Sequence, residues 1–179
     1  MLLEMCENNI FEGQKVSLIE MLDCREKRVY KQTELLENYP NNTLICATLN
    51  LPGEVKNNDF WSEAFIRHTD FLIDESFSNK ICAGKVDLLK TGPERLIVVD
   101  ESPIKTKEIL IAFENKQKIG RLFDLDVIYL EDSQLKQVSR QDLGLPPRKC
   151  FICEDVAKNC SRSRKHSIIE MQQEMVNWL

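Results

Sequence analysis

Hydrophobic and polar residues alternate from Gly120 to Leu130, and this alternation is typical of a β-strand. One face of that strand would point into a core and carries Phe123, Leu125, Val127 and Tyr129. The opposite face carries Leu122, Asp124, Asp126, Ile128 and Leu130. The two carboxylates on this second face would lie about 7 Å apart and would repel each other unless a cation lay between them. The pattern therefore predicts a Mg²⁺ site at Asp124 and Asp126, with a solvated edge strand as the alternative.

The same kind of pattern predicts the other elements. Helices are indicated by a capping box at Ser17 and Glu20 with Pro40 as the limit, by an amphipathic stretch at about 59–77, by Ser102-Pro103 opening a helix to about Asn115, and by Ser167 with Glu170. Strands are indicated at 43–51, 81–89, 95–99 and 135–138, the first of them a central strand because its apolar run is nearly continuous. The expected fold is α+β, or mixed-sheet α/β: a single domain over residues 1–179 with helices packed on a mixed β-sheet.

The first predicted helix has a narrow apolar stripe that would face the core, formed by Leu18, Leu22, Val29 and Leu36. Arg25 falls in the middle of this stripe, where an unpaired charge would be costly. Two roles stay open for Arg25. It forms an ion pair with a buried carboxylate, or it reaches an anionic ligand together with Arg28, one turn away.

Composition limits the class of protein. With 179 residues, 42% of them hydrophobic and 30% charged, the chain is long enough for one domain with a core and too short for two. No apolar run approaches the length of a membrane span, and the N-terminal stretch MLLEMCENNI carries acids rather than the basic start of a secretory signal. No membrane partner is therefore expected. Seven cysteines, an odd number, argue against a disulfide framework and for a cytoplasmic location.

Charge is unevenly distributed along the chain. A net charge of −5 argues against general binding of nucleic acid over the protein surface, and no nucleic acid is expected as a partner. From Arg140 to His166, however, seven Lys or Arg residues stand against three acids. At the end of this stretch, Ser161 to His166 interleaves hydroxyls with guanidinium groups just before a predicted helix N-terminus, a combination that binds phosphate. The local composition predicts a polyanionic ligand.

The Cys- and Arg-rich segment at 143–167 contains a second candidate site. Cys150 and Cys153 have the Cys-x2-Cys spacing that lets two thiolates bind one zinc ion, and Cys160 and His166 follow in the same segment. The later intervals match no standard zinc finger closely. A structural Zn²⁺ bound by Cys150, Cys153, Cys160 and His166 and a set of buried reduced thiols therefore stay open as alternatives.

Five motifs, in this order along the chain, resemble one known family. They are Leu51-Pro52-Gly53 with Lys56, Thr91-Gly92-Pro93-Glu94, Gly120 through Val127, Ser139-Arg140-x-Asp142-Leu143-Gly144 with Pro146-Pro147-Arg148, and Cys150-x2-Cys153 through Cys160-x-Arg162-x-Arg164-x-His166. From about Gln14 to the C-terminus the chain is similar to the holo-citrate lyase acyl-carrier-protein synthases, also called apo-citrate lyase phosphoribosyl-dephospho-CoA transferases. The Gly-Ser that generally precedes Asp-x-Asp in nucleotidyltransferases is missing, so the expected fold is only distantly nucleotidyltransferase-like.

The resemblance implies a nucleotidyltransferase. Such an enzyme moves the phosphoribosyl-dephospho-CoA group from 2′-(5″-triphosphoribosyl)-3′-dephospho-CoA to a serine of the apo acyl-carrier (gamma) subunit of citrate lyase, and pyrophosphate leaves. Asp124 and Asp126 would be its catalytic residues and Mg²⁺ ligands. The proton of the serine would pass to one of them, or to Asp100 or Glu94. Candidate substrate contacts are Arg25, Lys56, Arg121, Arg140, Arg148, Arg162, Arg164 and His166.

Two other functions remain open on the sequence. One is the equivalent synthase for the carrier protein of malonate decarboxylase, which would differ only in its acceptor. The other belongs to a different class: a zinc-stapled module whose basic C-terminal segment binds RNA or an acidic protein. Such a module would be indifferent to the loss of Asp124 or Asp126, and its binding would weaken steeply with salt.

Overall fold

The computed structural model describes residues 9–178, with five α-helices and five β-strands in that range. In chain order they are α1 (Leu18–Asn38), β1 (Thr43–Leu49), α2 (Asp59–Ser76), β2 (Ile81–Leu89), β3 (Gly92–Val99), α3 (Pro103–Lys116), β4 (Phe123–Glu131), β5 (Gln134–Val138), α4 (Ala157–Ser163) and α5 (Ile168–Val176). Short 3₁₀ turns occur at Asn9–Phe11, Lys118–Leu122 and Gln141–Leu143. The acidic N-terminal stretch up to Asn8 lies outside the described residues. Among the helices within 9–178, none has the length and apolar character that crossing a membrane requires.

The helix starts that the sequence predicts are confirmed. Ser17 and Glu20 form a reciprocal capping box at α1, with the Ser17 backbone N–H donating to the Glu20 carboxylate at 2.8 Å. Ser167 and Glu170 do the same at α5. Ser102 caps α3, whose first turn contains a proline. Each cap satisfies backbone N–H groups that have no partner within the helix, which fixes where the helix begins. Helix α4 was not predicted.

All five strands form one sheet in the order β2-β3-β1-β4-β5, and every neighbouring pair is antiparallel. The α+β class is therefore confirmed, whereas the expectation of a mixed sheet is wrong. The helical connections α2 and α3 do join strands that run in the same direction, but β3 lies between β1 and β2, and β1 lies between β3 and β4. This is the split βαβ arrangement of ferredoxin-like folds. The distant similarity to nucleotidyltransferases stays a prediction.

Two apolar layers enclose the sheet. Residues from α2 and α3 pack on one face, where Phe65, Leu72 and Leu110 meet Ile45, Ile97, Phe123, Leu125 and Val127. Helix α1 covers the other face, where Leu36 packs with Leu44, Cys46, Leu96, Val98 and Ile128. Strand β1 contributes to both layers, as expected of a central strand. Strand β4 also contributes to both, so that Asp124 and Asp126 lie on the α1 side of the sheet.

The apolar stripe of α1 does not face the core, and that prediction is wrong. Leu18, Leu22 and Val29 are 75%, 48% and 53% exposed, and only Leu36 of the stripe is buried. The buried side is turned instead toward Cys24 and Gln32. The cause is the surface that the helix covers, because the sheet beneath it carries carboxylates that polar side chains of α1 must pair.

Strand β5 is shorter than β4 and leaves part of its edge free. Asp132 and Ser133 form the tight turn between the two strands with positive φ angles of 49° and 59°. Pairing with β5 begins only at Val127, so the backbone of Phe123 to Asp126 has no strand neighbour on that side within the described residues. Polar side chains must therefore satisfy the carbonyl groups there.

Candidate active site

The carboxylate pair lies on one side of β4, as the alternation predicts. Across the sheet, Asp124 is opposite Thr48 and Asp126 is opposite Cys46. Thr48 is in turn opposite Glu94 on β3. The sequence suggests for Glu94 only the role of a proton acceptor. The register places it in the same row as Asp124, on the face that α1 covers.

The two aspartates differ in environment. Asp124 is exposed, whereas Asp126 is partly buried and accepts a hydrogen bond from the Gln137 side chain at 2.5 Å. Burial, followed by the negative charge of Asp124, raises the pKa of Asp126 to about 6. Positive charges oppose this shift and come from Lys107, Arg28 and Arg148. The site therefore carries a like-charge repulsion that a bound cation would relieve.

Glu94 is the carboxylate that neutralises the buried side of α1. Its side chain is 2% exposed and pairs with Arg28 and with Lys31, the latter at 3.1 Å. Arg28, rather than Arg25, therefore makes the buried ion pair that the sequence left open. Asp100 follows β3 at the end of the sheet opposite Glu94 and does not join the carboxylate pair.

Two cationic side chains donate hydrogen bonds to backbone carbonyl groups along the free edge of β4. The Lys107 ammonium donates to the Leu125 carbonyl oxygen at 2.7 Å, and Arg148 donates from Nη2 to the Phe123 carbonyl oxygen at 3.1 Å. Lys107 is buried, which lowers its pKa. Lys107 is not among the residues predicted from the sequence. The signal was present, because Lys107, Leu110 and Glu114 are spaced to share one helical face, which places two charges on a core-facing side.

Glu114 holds two of the predicted arginines. Its side chain is 4% exposed and pairs with Arg140 at 2.8 Å and Arg148 at 2.6 Å. Glu114 was also missed. Arg140 is thereby placed in a structural ion pair, away from the lining of the cavity described next.

A cavity of about 700 Å³ lies between the loop after β1, Arg121, the segment at 148–151, α4 and the start of α5. This volume is within the usual range for small-molecule sites. The predicted substrate contacts that line it are Lys56, Arg121, Arg148, Arg164 and His166. Arg25, Arg140 and Arg162 do not line it. A second hollow, of about 980 Å³, lies near Asn57 and Asp70 and includes none of the predicted residues.

Backbone carbonyl groups fix the cavity's cations in place. Arg121 donates from Nη2 to the carbonyl oxygens of Lys149 at 2.6 Å and Cys150 at 3.1 Å. Lys56 donates to the Leu51 carbonyl oxygen at 2.5 Å. Burial and then the charge of Arg25 lower the pKa of Lys56. An anionic ligand would restore that lost stabilisation of the ammonium form, so the cavity favours polyanions.

The cysteine segment closes one side of this cavity. One ligand atom from each of Cys150, Cys153, Cys160 and His166 lies within 4.8 Å of the others, so the four residues form a group that could hold a metal ion. Nε2 of His166 is 3.3 Å from the Cys153 sulfur. The imidazole therefore faces the thiols, which favours its role as a metal ligand over a contact to phosphate.

Arg148 connects the carboxylate pair and the cationic cavity, because it lines the cavity and donates to the carbonyl oxygen of Phe123, the residue directly before Asp124. Such a site can bind a divalent cation beside a polyphosphate. This is the set of groups that a phosphoryl or nucleotidyl transfer requires, because catalysis of that chemistry consists chiefly of positioning and charge neutralisation.

A probable apo-citrate lyase phosphoribosyl-dephospho-CoA transferase of Streptococcus pyogenes serotype M18 is 39% identical over 94% of this chain and 88% of its own length. A probable transferase of the same description from Vibrio cholerae serotype O1 is 36% identical over 86% of this chain and 85% of its own. The protein CitXG of Haemophilus influenzae is 35% identical over 89% of this chain but only 34% of its own length.

The model of one protein family, described as apo-citrate lyase phosphoribosyl-dephospho-CoA transferase, matches residues 16–179. The match includes both the carboxylate pair and every predicted cation of the cavity. It agrees with the resemblance carried by the five sequence motifs. The chain therefore belongs to the apo-citrate lyase phosphoribosyl-dephospho-CoA transferase family.

Proposed function

We propose that this protein transfers the phosphoribosyl-dephospho-CoA group from 2′-(5″-triphosphoribosyl)-3′-dephospho-CoA to a serine of the apo acyl-carrier subunit of citrate lyase and releases pyrophosphate. Membership of the family supports the transferase activity and the acceptor. The identity of the donor and the release of pyrophosphate go beyond the family description and are part of this proposal. The family is one of transferases, which argues against the zinc-stapled RNA- or protein-binding alternative.

One observation carries the proposal: Arg148, which lines the cationic cavity, donates to the carbonyl oxygen at the start of the strand that carries the carboxylate pair. Phe123 directly precedes Asp124 in β4. A donor whose dephospho-CoA part occupies the cavity would thus extend its triphosphate toward Asp124 and Asp126. Arg148 and Lys107 would lie alongside the charge that develops on the phosphate oxygens.

The donor set fits Mg²⁺. Two carboxylates on one side of a strand supply hard oxygen ligands. Burial and then the charge of Asp124 raise the pKa of Asp126, and a bound cation would favour its ionised form. When bound, the ion would offset charge on the triphosphate and on the departing pyrophosphate. Asp124 and Asp126 would hold it between them, with the remaining ligands from the donor's phosphates and water.

The reaction balances as a displacement at the phosphorus nearest the ribose. A bond forms between this phosphorus and the serine oxygen, and its bond to the bridging oxygen breaks, so that pyrophosphate leaves with the electron pair. The serine proton passes to Asp124 or Asp126. Glu94 is committed to Arg28 and Lys31, and Asp100 lies at the far end of β3, so neither suits that role.

Single turnover with the apo carrier, the donor and Mg²⁺ tests the proposal. The carrier's mass and the released pyrophosphate would be followed for the wild type, for Asp124→Asn and for the matched control Asp74→Asn on the exposed side of α2. Wild type and control should transfer the group. Asp124→Asn should fold and slow the reaction by about a thousandfold, because Asn keeps the shape but not the charge that holds the cation. Equal rates for all three proteins would overturn the assignment of the site.

Offering the apo carrier of malonate decarboxylase in the same assay distinguishes the two acceptors. Faster transfer to the citrate lyase carrier supports the proposal, and the reverse preference would replace it with the malonate decarboxylase synthase.

A cytoplasmic location is part of the proposal. It is supported by the six described cysteines, all of which are free thiols.

A further inference from the structure

Four side chains at the wall of the cationic cavity, those of Cys150, Cys153, Cys160 and His166, have the geometry of a zinc site. The Cys153 and Cys160 sulfurs are 3.6 Å apart, and Nε2 of His166 is 3.3 Å from the Cys153 sulfur. Zinc–sulfur bonds of about 2.3 Å in a tetrahedron place two sulfurs about 3.8 Å apart. All four ligand atoms lie within 4.8 Å of one another. The distances therefore suit one shared ion of that size.

The backbone around the first two cysteines is built for thiolates. Cys150 and Asp155 are joined by a hydrogen bond of 2.7 Å from the Cys150 N–H to the Asp155 carbonyl oxygen, and Ala157 donates to the Arg148 carbonyl oxygen at 2.9 Å. These bonds close a tight loop that carries Cys150 and Cys153. The Ile152 N–H lies 3.5 Å from the Cys150 sulfur and donates to it. Such a donor is more effective toward a charged thiolate than toward a thiol.

The segment that carries this group has almost no core of its own. From Ser139 to Ser167, all of them described residues, Cys160 is the single buried residue. Hydrophobic burial therefore contributes little to folding this segment, and stretches of this kind are generally held by disulfides or metals. The thiols here are free, so a metal ion is the cross-link that would hold the three cysteines and His166 together, in addition to the ion pairs of Arg140 and Arg148 with Glu114.

The same segment forms the wall of the donor cavity. Cys150, Cys160 and His166 line it. Arg121 is anchored on the carbonyl groups of Lys149 and Cys150, directly at the first ligand. Arg164 lies between the last two ligands in a left-handed backbone conformation, with φ of 49°. Fixing the four ligands therefore also fixes two cations of the cavity.

We propose that Cys150, Cys153, Cys160 and His166 bind one Zn²⁺, and that this ion positions the cationic wall of the donor cavity rather than taking part in the chemistry. Four protein ligands leave no open coordination position, which is the mark of a structural site. The role in donor binding rests on the proposed function, whereas the zinc site itself does not.

Zinc content and ligand binding test the two parts separately. The full chain, purified under reducing conditions, should contain one zinc per chain by elemental analysis, and cobalt in its place should give the intense visible bands of a tetrahedral thiolate site. His166→Ala should lose the zinc and weaken binding of 3′-dephospho-CoA, measured by calorimetry, by roughly tenfold, in line with the effect of disturbing a metal's surroundings. Cys82→Ser removes an exposed cysteine on β2 and should keep both properties.

His166→Cys is the decisive variant, because a fourth cysteine can replace the imidazole as a zinc ligand. It should retain one zinc and the wild-type affinity for 3′-dephospho-CoA. If His166 instead contacted the donor, His166→Cys and His166→Ala would lose affinity equally, and the positioning role would be refuted. A zinc-free wild type that cannot be reconstituted, or a Cys153–Cys160 disulfide in the reduced preparation, would overturn the site.

These measurements do not involve transfer to the carrier. A zinc-loaded protein that binds 3′-dephospho-CoA but modifies no carrier would refute the proposed function and leave the zinc inference standing. An active enzyme without zinc would refute the zinc inference and leave the proposed function standing.

Discussion

Arg148 and Phe123 are joined by a hydrogen bond of 3.1 Å from the guanidinium to the backbone carbonyl oxygen at the start of β4. The bond fastens the wall of the cationic cavity to the strand that carries the carboxylate pair. Because Arg148 also pairs with Glu114 at 2.6 Å, its position is fixed from two sides. One residue thus connects the C-terminal segment, α3 and the sheet.

Replacing Arg148 should therefore impair both stability and binding. Arg148→Ala leaves Glu114, 4% exposed, with Arg140 as its remaining ion-pair partner. We expect a loss of about 2 kcal/mol in the free energy of unfolding, below the cost of isolating a buried charge completely. Urea unfolding measures this, and calorimetry with 3′-dephospho-CoA should show weaker binding. Lys158→Ala, on the exposed side of α4, is the control and should change neither. Equal stability of the two variants would contradict the pairing with Glu114.

Asp126 should make the metal-free protein less stable as the pH rises. Its pKa is about 6 in the folded state against a reference value of 3.8, so the unfolded chain releases this proton first. The free energy of unfolding then falls between about pH 4 and pH 6. Asp126→Asn removes this loss and should be more stable than the wild type by about 1–3 kcal/mol near pH 7, with the difference vanishing near pH 4.

Urea unfolding in magnesium-free buffer at a series of pH values measures that difference. Asp74→Asn, exposed on α2, controls for the general effect of removing a carboxylate. A gain in stability that is the same at pH 4 and pH 7 would show that Asp126 does not carry a raised pKa. The expected gain is notable because the same substitution should abolish transfer, as is common where a site stores repulsion for a ligand.

The orientation of α1 can be tested with two leucines of one stripe. Leu36 is fully buried, whereas Leu22 is 48% exposed. Leu36→Ala should lower the free energy of unfolding by about 2–4 kcal/mol, and Leu22→Ala by about 1 kcal/mol or less. Thermal or urea unfolding of both variants provides the comparison. Comparable losses would mean that the stripe faces the core along its whole length, as the sequence predicts.

The sequence predicts what depends on neighbouring residues. Capping at Ser17 and Ser167 and the alternation that places Asp124 beside Asp126 involve residues two or three positions apart, and these predictions are confirmed as structure. Whether the aspartates act as proposed stays a prediction. The group formed by Cys150, Cys153, Cys160 and His166 could also be predicted from the sequence, because its members lie within one short segment.

What the sequence did not reveal depends on distant partners. The prediction for the buried side of α1 is wrong because Glu94 is far away in the sequence. Its buried carboxylate pairs with Arg28, so that a charged side of α1 faces the sheet. The roles of Glu114 and Arg148 likewise follow from an ion pair between remote segments. Hydrophobic periodicity assumes an apolar partner surface, and it fails where the partner carries charge.

Gly120 offers a last test, of how α3 and the turn before β4 fit together. A Cβ atom at this position would lie 2.7 Å from the Glu114 carbonyl oxygen and 3.1 Å from that of Phe113, closer than carbon and oxygen can approach without displacement. The last turn of α3 would have to move, and with it the Glu114 carboxylate that holds Arg148. Gly120→Ala should therefore lower the free energy of unfolding by about 1–3 kcal/mol and weaken 3′-dephospho-CoA binding.

Gly84→Ala is the matched control. Its Cβ would meet the Leu96 carbonyl oxygen at 3.5 Å, an ordinary contact, so the substitution should be neutral or slightly stabilising in urea unfolding. If Gly120→Ala were equally neutral, the close packing of α3 on this turn would be excluded as the reason for a glycine four residues before Asp124.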